Sequence, residues 1–127
     1  MSRQKLRDSA NPRGTFNLGR YPVEADTVQI DEGETTSESI ACLGMMASAV
    51  IVGEGFVGTS LTLQGSLDGQ TFFDLYEYDD TDGTPIVMTV AASRWYSLPV
   101  MYMLNVPYLR FVADEQTADV TLTVVLG

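Results

Sequence analysis

From Thr27 to the last residue, apolar and polar side chains alternate with a period of two, and this restricts the fold more than any other feature. Leu61, Leu63 and Leu67 alternate with Thr62, Gln64 and Ser66; Ile86, Met88 and Val90 with Val87 and Thr89; Val120, Leu122, Val124 and Leu126 with Thr121, Thr123 and Val125. In an extended chain successive side chains point to opposite faces, so each run reads as a half-buried strand. Leu109 and Phe111, on either side of Arg110, continue the pattern.

Turn chemistry punctuates these runs. Asp68-Gly69, residues 79–83 and residues 114–117 fall between them. Gly after Asp supplies the positive φ of a tight hairpin, which makes the flanking runs antiparallel neighbours. The spacing predicts strands over 27–30, 37–43, 45–52, 60–66, 71–78, 84–90, 102–104, 108–113 and 119–126. Met and Ala favour helix at 43–52, but Ala49-Val50-Ile51-Val52 between Gly44 and Gly53 reads as a buried strand. Short strands at this spacing predict an all-β antiparallel β-sandwich or barrel. Its core is expected to hold Leu61, Leu63, Phe73, Leu75, Leu109, Phe111, Leu122 and Val124.

Charge divides the chain differently. The first twenty residues carry Arg3, Lys5, Arg7, Arg13 and Arg20 against Asp8 alone, a formal +4; the other 107 carry two basic and sixteen acidic residues, a formal −14. This leader lacks apolar periodicity and contains Asn11-Pro12-Arg13-Gly14. It cannot fold alone, and reads either as an extended arm that grips a neighbour or as a solvated terminus. We place the arm at 1–26 and the sandwich at 27–127, one domain by size. The first thirty residues hold no apolar stretch of secretory type, and no run approaches the 18 apolar residues of a membrane span. The acidic body opposes phosphate, which argues against nucleic acid as a partner. Cys42, the single cysteine, sits in Ile40-Ala41-Cys42-Leu43 and reads as a small buried thiol.

Catalytic parts are scarce. The chain has no histidine, which removes the Ser-His-Asp and Cys-His arrangements and imidazole metal ligation. Two carboxylate pairs remain, Asp74 with Glu77 and Asp79 with Asp80, in positions typical of solvated turn acids. Asp79-Asp80-Thr81-Asp82-Gly83 resembles the start of a calcium loop. With Gly83 as the sixth position, however, Tyr78 and Thr89 stand at the first and twelfth, where carboxylates are wanted. No catalytic residue, metal or cofactor is therefore expected. The remaining cluster is aromatic: Trp95, Tyr96, Tyr102 and Tyr108, interleaved with Pro99 and Pro107, read as a long irregular connection. These rings either anchor a partner or sugar, or cap an open end of the sandwich.

The run Ser60-Leu61-Thr62-Leu63-Gln64-Gly65-Ser66-Leu67-Asp68-Gly69-Gln70-Thr71-Phe72 carries a resemblance, together with Thr36-Ser37-Glu38-Ser39-Ile40, Tyr108-Leu109-Arg110-Phe111 and Gln116-Thr117-Ala118-Asp119-Val120-Thr121-Leu122. Over about residues 34–127 the chain resembles small structural proteins of tailed bacteriophages, departing from them in having Gly53-Glu54-Gly55 where they have a proline. The resemblance implies a jelly-roll-like sandwich without enzymatic activity. It also implies a virion part on the capsid surface, made in the host cytoplasm: a decoration (cement) protein bound to the major capsid protein, as a homo-oligomer, with a trimer favoured. The competing readings are a carbohydrate- or receptor-binding module of a tail or baseplate, and a head-tail connector component.

Overall fold

The computed structural model describes residues 23–77, 83–99 and 103–127. Among these, nine strands form: β1 (Glu24–Ile30), β2 (Ile40–Ala41), β3 (Ala47–Val52), β4 (Ser60–Ser66), β5 (Phe73–Asp74), β6 (Val87–Thr89), β7 (Arg94–Ser97), β8 (Tyr108–Val112) and β9 (Val120–Leu126). Sheet I has the order β1-β9-β3-β7; sheet II runs β2-β8-β4, with β5 and β6 sharing the far edge of β4. Every pairing is antiparallel.

β5 and β6 act as one strand position. β5 pairs Asp74 and Phe73 with Gln64 and Gly65, while β6 pairs Val87, Met88 and Thr89 with Thr62, Leu61 and Ser60. Between them the chain leaves the sheet after Leu75, whose N–H donates to Leu63 at 3.1 Å, and returns at Ile86, whose N–H donates to Leu75 at 2.7 Å. With β5 and β6 counted together, the eight positions lie in the orders 1-8-3-6 and 2-7-4-5. That order results from rolling up one long antiparallel ribbon in which position 1 pairs with 8, 2 with 7, 3 with 6 and 4 with 5. It is the jelly roll.

The core follows from the alternation. Val28 and Ile30 of β1, Val50 and Val52 of β3, and Val120, Leu122, Val124 and Leu126 of β9 point inward from sheet I. Ile40, Leu61, Leu63, Leu109 and Phe111 meet them from sheet II. Six of the eight expected core residues are fully buried, and Leu75 packs partly buried against them. Phe73 does not belong to the core. It sits on the two-residue outermost strand opposite Gly65, which has no side chain to pack beside it, and is mostly exposed. Leu67 also departs from the alternation, because the chain has already turned at Ser66.

Several strand expectations change. The strand expected from Thr27 begins at Glu24, paired with Leu126. The one expected over 37–43 shrinks to Ile40–Ala41, and the cause is a bulge. Thr36 bridges Val112 and Ile40 pairs with Leu109, so three intervening residues face two. Ser37 holds the gap: its hydroxyl accepts the Phe111 N–H at 3.0 Å and its own N–H donates to the Phe111 carbonyl at 2.9 Å. The strand expected at 102–104 is absent among its described residues, where Leu104 and Asn105 turn and Asn105 takes a φ of 61°. Arg94–Ser97, expected within an irregular connection, is instead an edge strand. Of the three expected hairpins only the one at Asp68-Gly69 forms. The segment with residues 79–83 joins two collinear halves of one edge, and 114–117 crosses from sheet II to sheet I.

Candidate functional site

One end of the sandwich is apolar and exposed. Three connections meet there: 42–46, leading into β3; 66–72, between β4 and β5; and 103–107, leading into β8. They expose Leu43 (85%), Leu67 (84%) and Leu104 (59%), and the adjoining start of β5 exposes Phe73 (67%). Two adjoining hollows of about 470 and 360 Å³ lie at this end and share Leu67, Asn105, Val106 and Pro107, with Phe73 lining the larger. Gly65 forms part of the floor: a Cβ there would stand 3.0 Å from Val106 and 3.1 Å from Leu75. Leu43 and Asn105 hold positive φ values of 53° and 61°, a conformation that Asn tolerates and that costs a leucine about 1–2 kcal/mol. Leu43 and Leu104 flank these turns and stand exposed beside the hollows.

The hairpin that presents Leu67 is braced by its own side chains. The Ser66 hydroxyl accepts the N–H groups of Gly69 at 2.9 Å and Asp68 at 3.2 Å, and donates to the Asp68 carboxylate at 3.0 Å. The same carboxylate oxygen accepts the N–H groups of Gln70 at 2.9 Å and Thr71 at 3.0 Å. Hydrogen bonds from Thr71, Gln70 and Ser66 hold the Asp68 carboxyl below the usual carboxylate range. A depressed folded-state value stabilises above the unfolded pKa of about 4 and is lost as pH falls through the folded value. Asp68→Asn is therefore expected to lower the urea midpoint at pH 7, with the gap to the parent closing toward pH 2. A gap that stays constant with pH would contradict this assignment.

Gly69 completes the turn at a φ of 78°. Gly69→Val is expected to destabilise by more than about 1 kcal/mol and Gly69→Asn by less, since Asn tolerates the left-handed region. Equal losses in chemical denaturation would show that backbone conformation does not decide the effect. Sheet II carries a further brace outside this loop. Gln64 donates to Asp74 at 2.7 Å and accepts from the Arg110 Nε at 2.8 Å, while the Arg110 guanidinium stacks 4.1 Å from the centroid of Phe72. The carboxylate of the expected Asp74–Glu77 pair is thus bound to an amide in the sheet.

The opposite end is acidic. Asp31, Glu32 and Glu34 follow β1, Glu54 follows β3, and Asp114, Glu115 and Asp119 lie between β8 and β9; all are exposed. A neutral side chain ties these connections together. Gln116, only 1% exposed, accepts the Val57 N–H at 2.9 Å and donates to the carbonyls of Val57 at 2.9 Å and Asp114 at 2.7 Å. Its backbone accepts from Gly33 at 2.8 Å and donates to Glu34 at 3.1 Å.

The residues singled out in the sequence separate. Arg3, Lys5, Arg7, Arg13, Arg20 and Tyr102 lie outside the described residues, as do Asp79, Asp80 and Asp82. Tyr96 faces inward from β7, packs against the core and accepts the Ala91 N–H at 2.8 Å through its hydroxyl. Tyr108 packs under the hairpin, 3.3 Å from where a Gly69 Cβ would stand. Trp95 alone stands out, 63% exposed on the outer face of sheet I beside Ile51. Trp95 and Tyr96 on β7 and Tyr108 on β8 thus belong to strands and share no single loop. Cys42 is buried, and burial pushes its thiol up. Among the described residues no group of three metal-ligating side chains comes together. The apolar end itself is not legible in the sequence, because Leu43, Leu67 and Leu104 are isolated leucines that only the roll of the ribbon brings to one pole.

Fold and surface together define an all-β jelly roll with one apolar and one acidic pole. Comparison with protein-family models, curated proteins and solved structures finds no match.

Proposed function

We propose that the protein is a non-enzymatic structural component of a tailed-phage virion, a decoration protein that binds the major capsid protein on the outer surface of the head. The observation that carries this reading is where the leader joins the sandwich. β1 begins at Glu24, paired with Leu126, which in turn pairs with Ala47 at the start of β3. The basic leader therefore springs from the apolar pole, and the acidic pole lies at the far end. A particle built this way has one end suited to adhesion and another that stays hydrated and repels its own kind. The jelly roll, which recurs in viral capsid proteins, and the motif resemblance support the same assignment. The proposed assembly is a closed homo-oligomer, with a trimer favoured.

The test is reconstitution on heads that lack the protein. The parent is expected to bind saturably and to raise the temperature at which heads disrupt. Surface ion pairs contribute about 0–1 kcal/mol each, so replacing Arg3, Lys5, Arg7, Arg13 and Arg20 together by Gln is expected to weaken attachment by about tenfold or more. That variant keeps the melting temperature of the free protein. Undiminished attachment would remove the leader from the interface, and no attachment to heads would overturn the assignment.

Trp95 favours a second reading, a carbohydrate- or receptor-binding module of a phage tail or baseplate. It stands on a sheet face formed by Ala49, Ile51, Ser97, Thr121, Thr123 and Val125, without a charged side chain among them. An uncharged face with one exposed indole suits stacking against a sugar ring. On that reading the parent does not attach to heads, and Trp95→Ala abolishes binding to host cells.

A further inference from the structure

Each sheet has two edges, and three of the four are closed to a further strand. On β1 the Thr27 N–H donates to the Asp26 carboxylate at 2.8 Å, while the N–H and carbonyl of Gln29 are both taken by Glu38. β2 is two residues long, and the far edge of sheet II is interrupted between Leu75 and Ile86. Carboxylates, brevity and interruption are the usual means by which a sheet avoids growing.

The fourth edge, β7, has none of these. Leu98 donates to the Ser48 carbonyl at 3.0 Å, and the register on β3 is unbroken from Arg94 to Ser97. The backbone groups of Arg94 and Tyr96 therefore face β3, and those of Trp95 and Ser97 face outward. No described residue bonds to the N–H and carbonyl groups of Trp95 and Ser97 on that side. Both side chains are exposed on the outer face of the sheet.

Charge and shape decide what fits this edge. The sixteen acids of residues 21–127, against two basic residues, drive two copies apart wherever their acids meet. Around β7 the outer face is uncharged, formed by Trp95, Ser97, Ala49 and Ile51. The edge is also self-complementary. In an antiparallel pair with a two-fold axis at Tyr96, Trp95 stands opposite Ser97 of the second copy and Ser97 opposite its Trp95, so every outward N–H and carbonyl finds its counterpart. The large indole then lies beside the small side chains of Ser97 and Ala49 of the other copy, on both sides of the axis. Arg94 falls opposite Leu98, away from the other Arg94.

We propose that two copies pair through β7, antiparallel about Tyr96, joining their four-stranded sheets into one continuous sheet. The contact is small and makes a weak dimer in solution. On the proposed particle, where many copies are held side by side, effective concentration strengthens it. Being two-fold, it uses a surface apart from a three-fold axis and links one closed trimer to the next.

The experiment is sedimentation equilibrium of the full chain, joined to nuclear Overhauser spectroscopy on a mixture of differently labelled copies. The expected result is a mass that rises twofold with concentration, and contact between the Tyr96 α-protons of two copies, which adjoin in this register. A mass that does not rise, or association without that contact, would overturn the proposal. Ser97→Pro removes an outward N–H at an edge position that tolerates proline, and is expected to weaken the association by about tenfold or more at an unchanged melting temperature. Ser97→Glu leaves every bond of β7 to β3 in place, sets like charges on either side of the axis, and is expected to do the same. Association of the glutamate variant equal to the parent's would equally overturn it. Neither measurement involves a capsid, so failure here leaves the attachment assignment standing, and success does not establish it.

Discussion

Phe111→Ala is expected to lower stability by about 3–5 kcal/mol, the largest loss of any single truncation in the sandwich. Phe111 is fully buried on β8, paired with Leu63, and its backbone also carries the bulge bonds to Ser37. Removing the ring empties the middle of sheet II, where the strands on both sides are fixed and cannot close the space. A domain of this size has about 5–15 kcal/mol in hand, so the variant should unfold at a much lower denaturant concentration, with an unchanged slope. A midpoint within the scatter of the parent's would show that Phe111 is not a centre of the core.

Gln116 yields the second large effect. Its carboxamide makes three hydrogen bonds in a buried position, and alanine would leave the Val57 N–H and the carbonyls of Val57 and Asp114 without it. The expected loss is about 2–4 kcal/mol. Gln116→Glu is the sharper probe, being nearly the same shape. At neutral pH its carboxylate would face two carbonyl oxygens it cannot donate to, among the exposed acids of that pole, so the loss exceeds that of alanine. Burial and neighbouring acids raise the new carboxyl's folded-state pKa, and the neutral form can donate. The glutamate variant therefore recovers stability relative to the parent as pH falls from 7 toward 4. A glutamate variant as stable as the parent at pH 7 would contradict the clamp.

What the sequence discloses is what lies in local pattern. Val120, Leu122, Val124 and Leu126 read as an inward face because strand geometry makes them one, and Asp68-Gly69 reads as a hairpin because positive φ needs glycine. The run 60–66 forms a strand with the bounds its alternation predicts. Long-range relations are illegible. Nothing local distinguishes a turn that joins neighbours from one that crosses between sheets, so 114–117 reads as a hairpin and is a crossing. The interruption of one edge strand between Leu75 and Ile86 likewise resembles a hairpin loop. Gln116 gives no signal, since a glutamine among turn acids is ordinary until the fold buries it. The Gly65–Phe72 motif is legible as a turn, whereas its internal bracing and the stacking of Arg110 on Phe72 emerge only in three dimensions.

Cryo-electron microscopy of the intact particle tests the proposed role most directly. Hundreds of copies arrayed on the head are expected, each a jelly roll with the pole of Leu67 and Leu104 against the capsid shell and the acidic pole around Gln116 toward solvent. Copies confined to the tail, or jelly rolls on the head seated by the acidic pole, would contradict it.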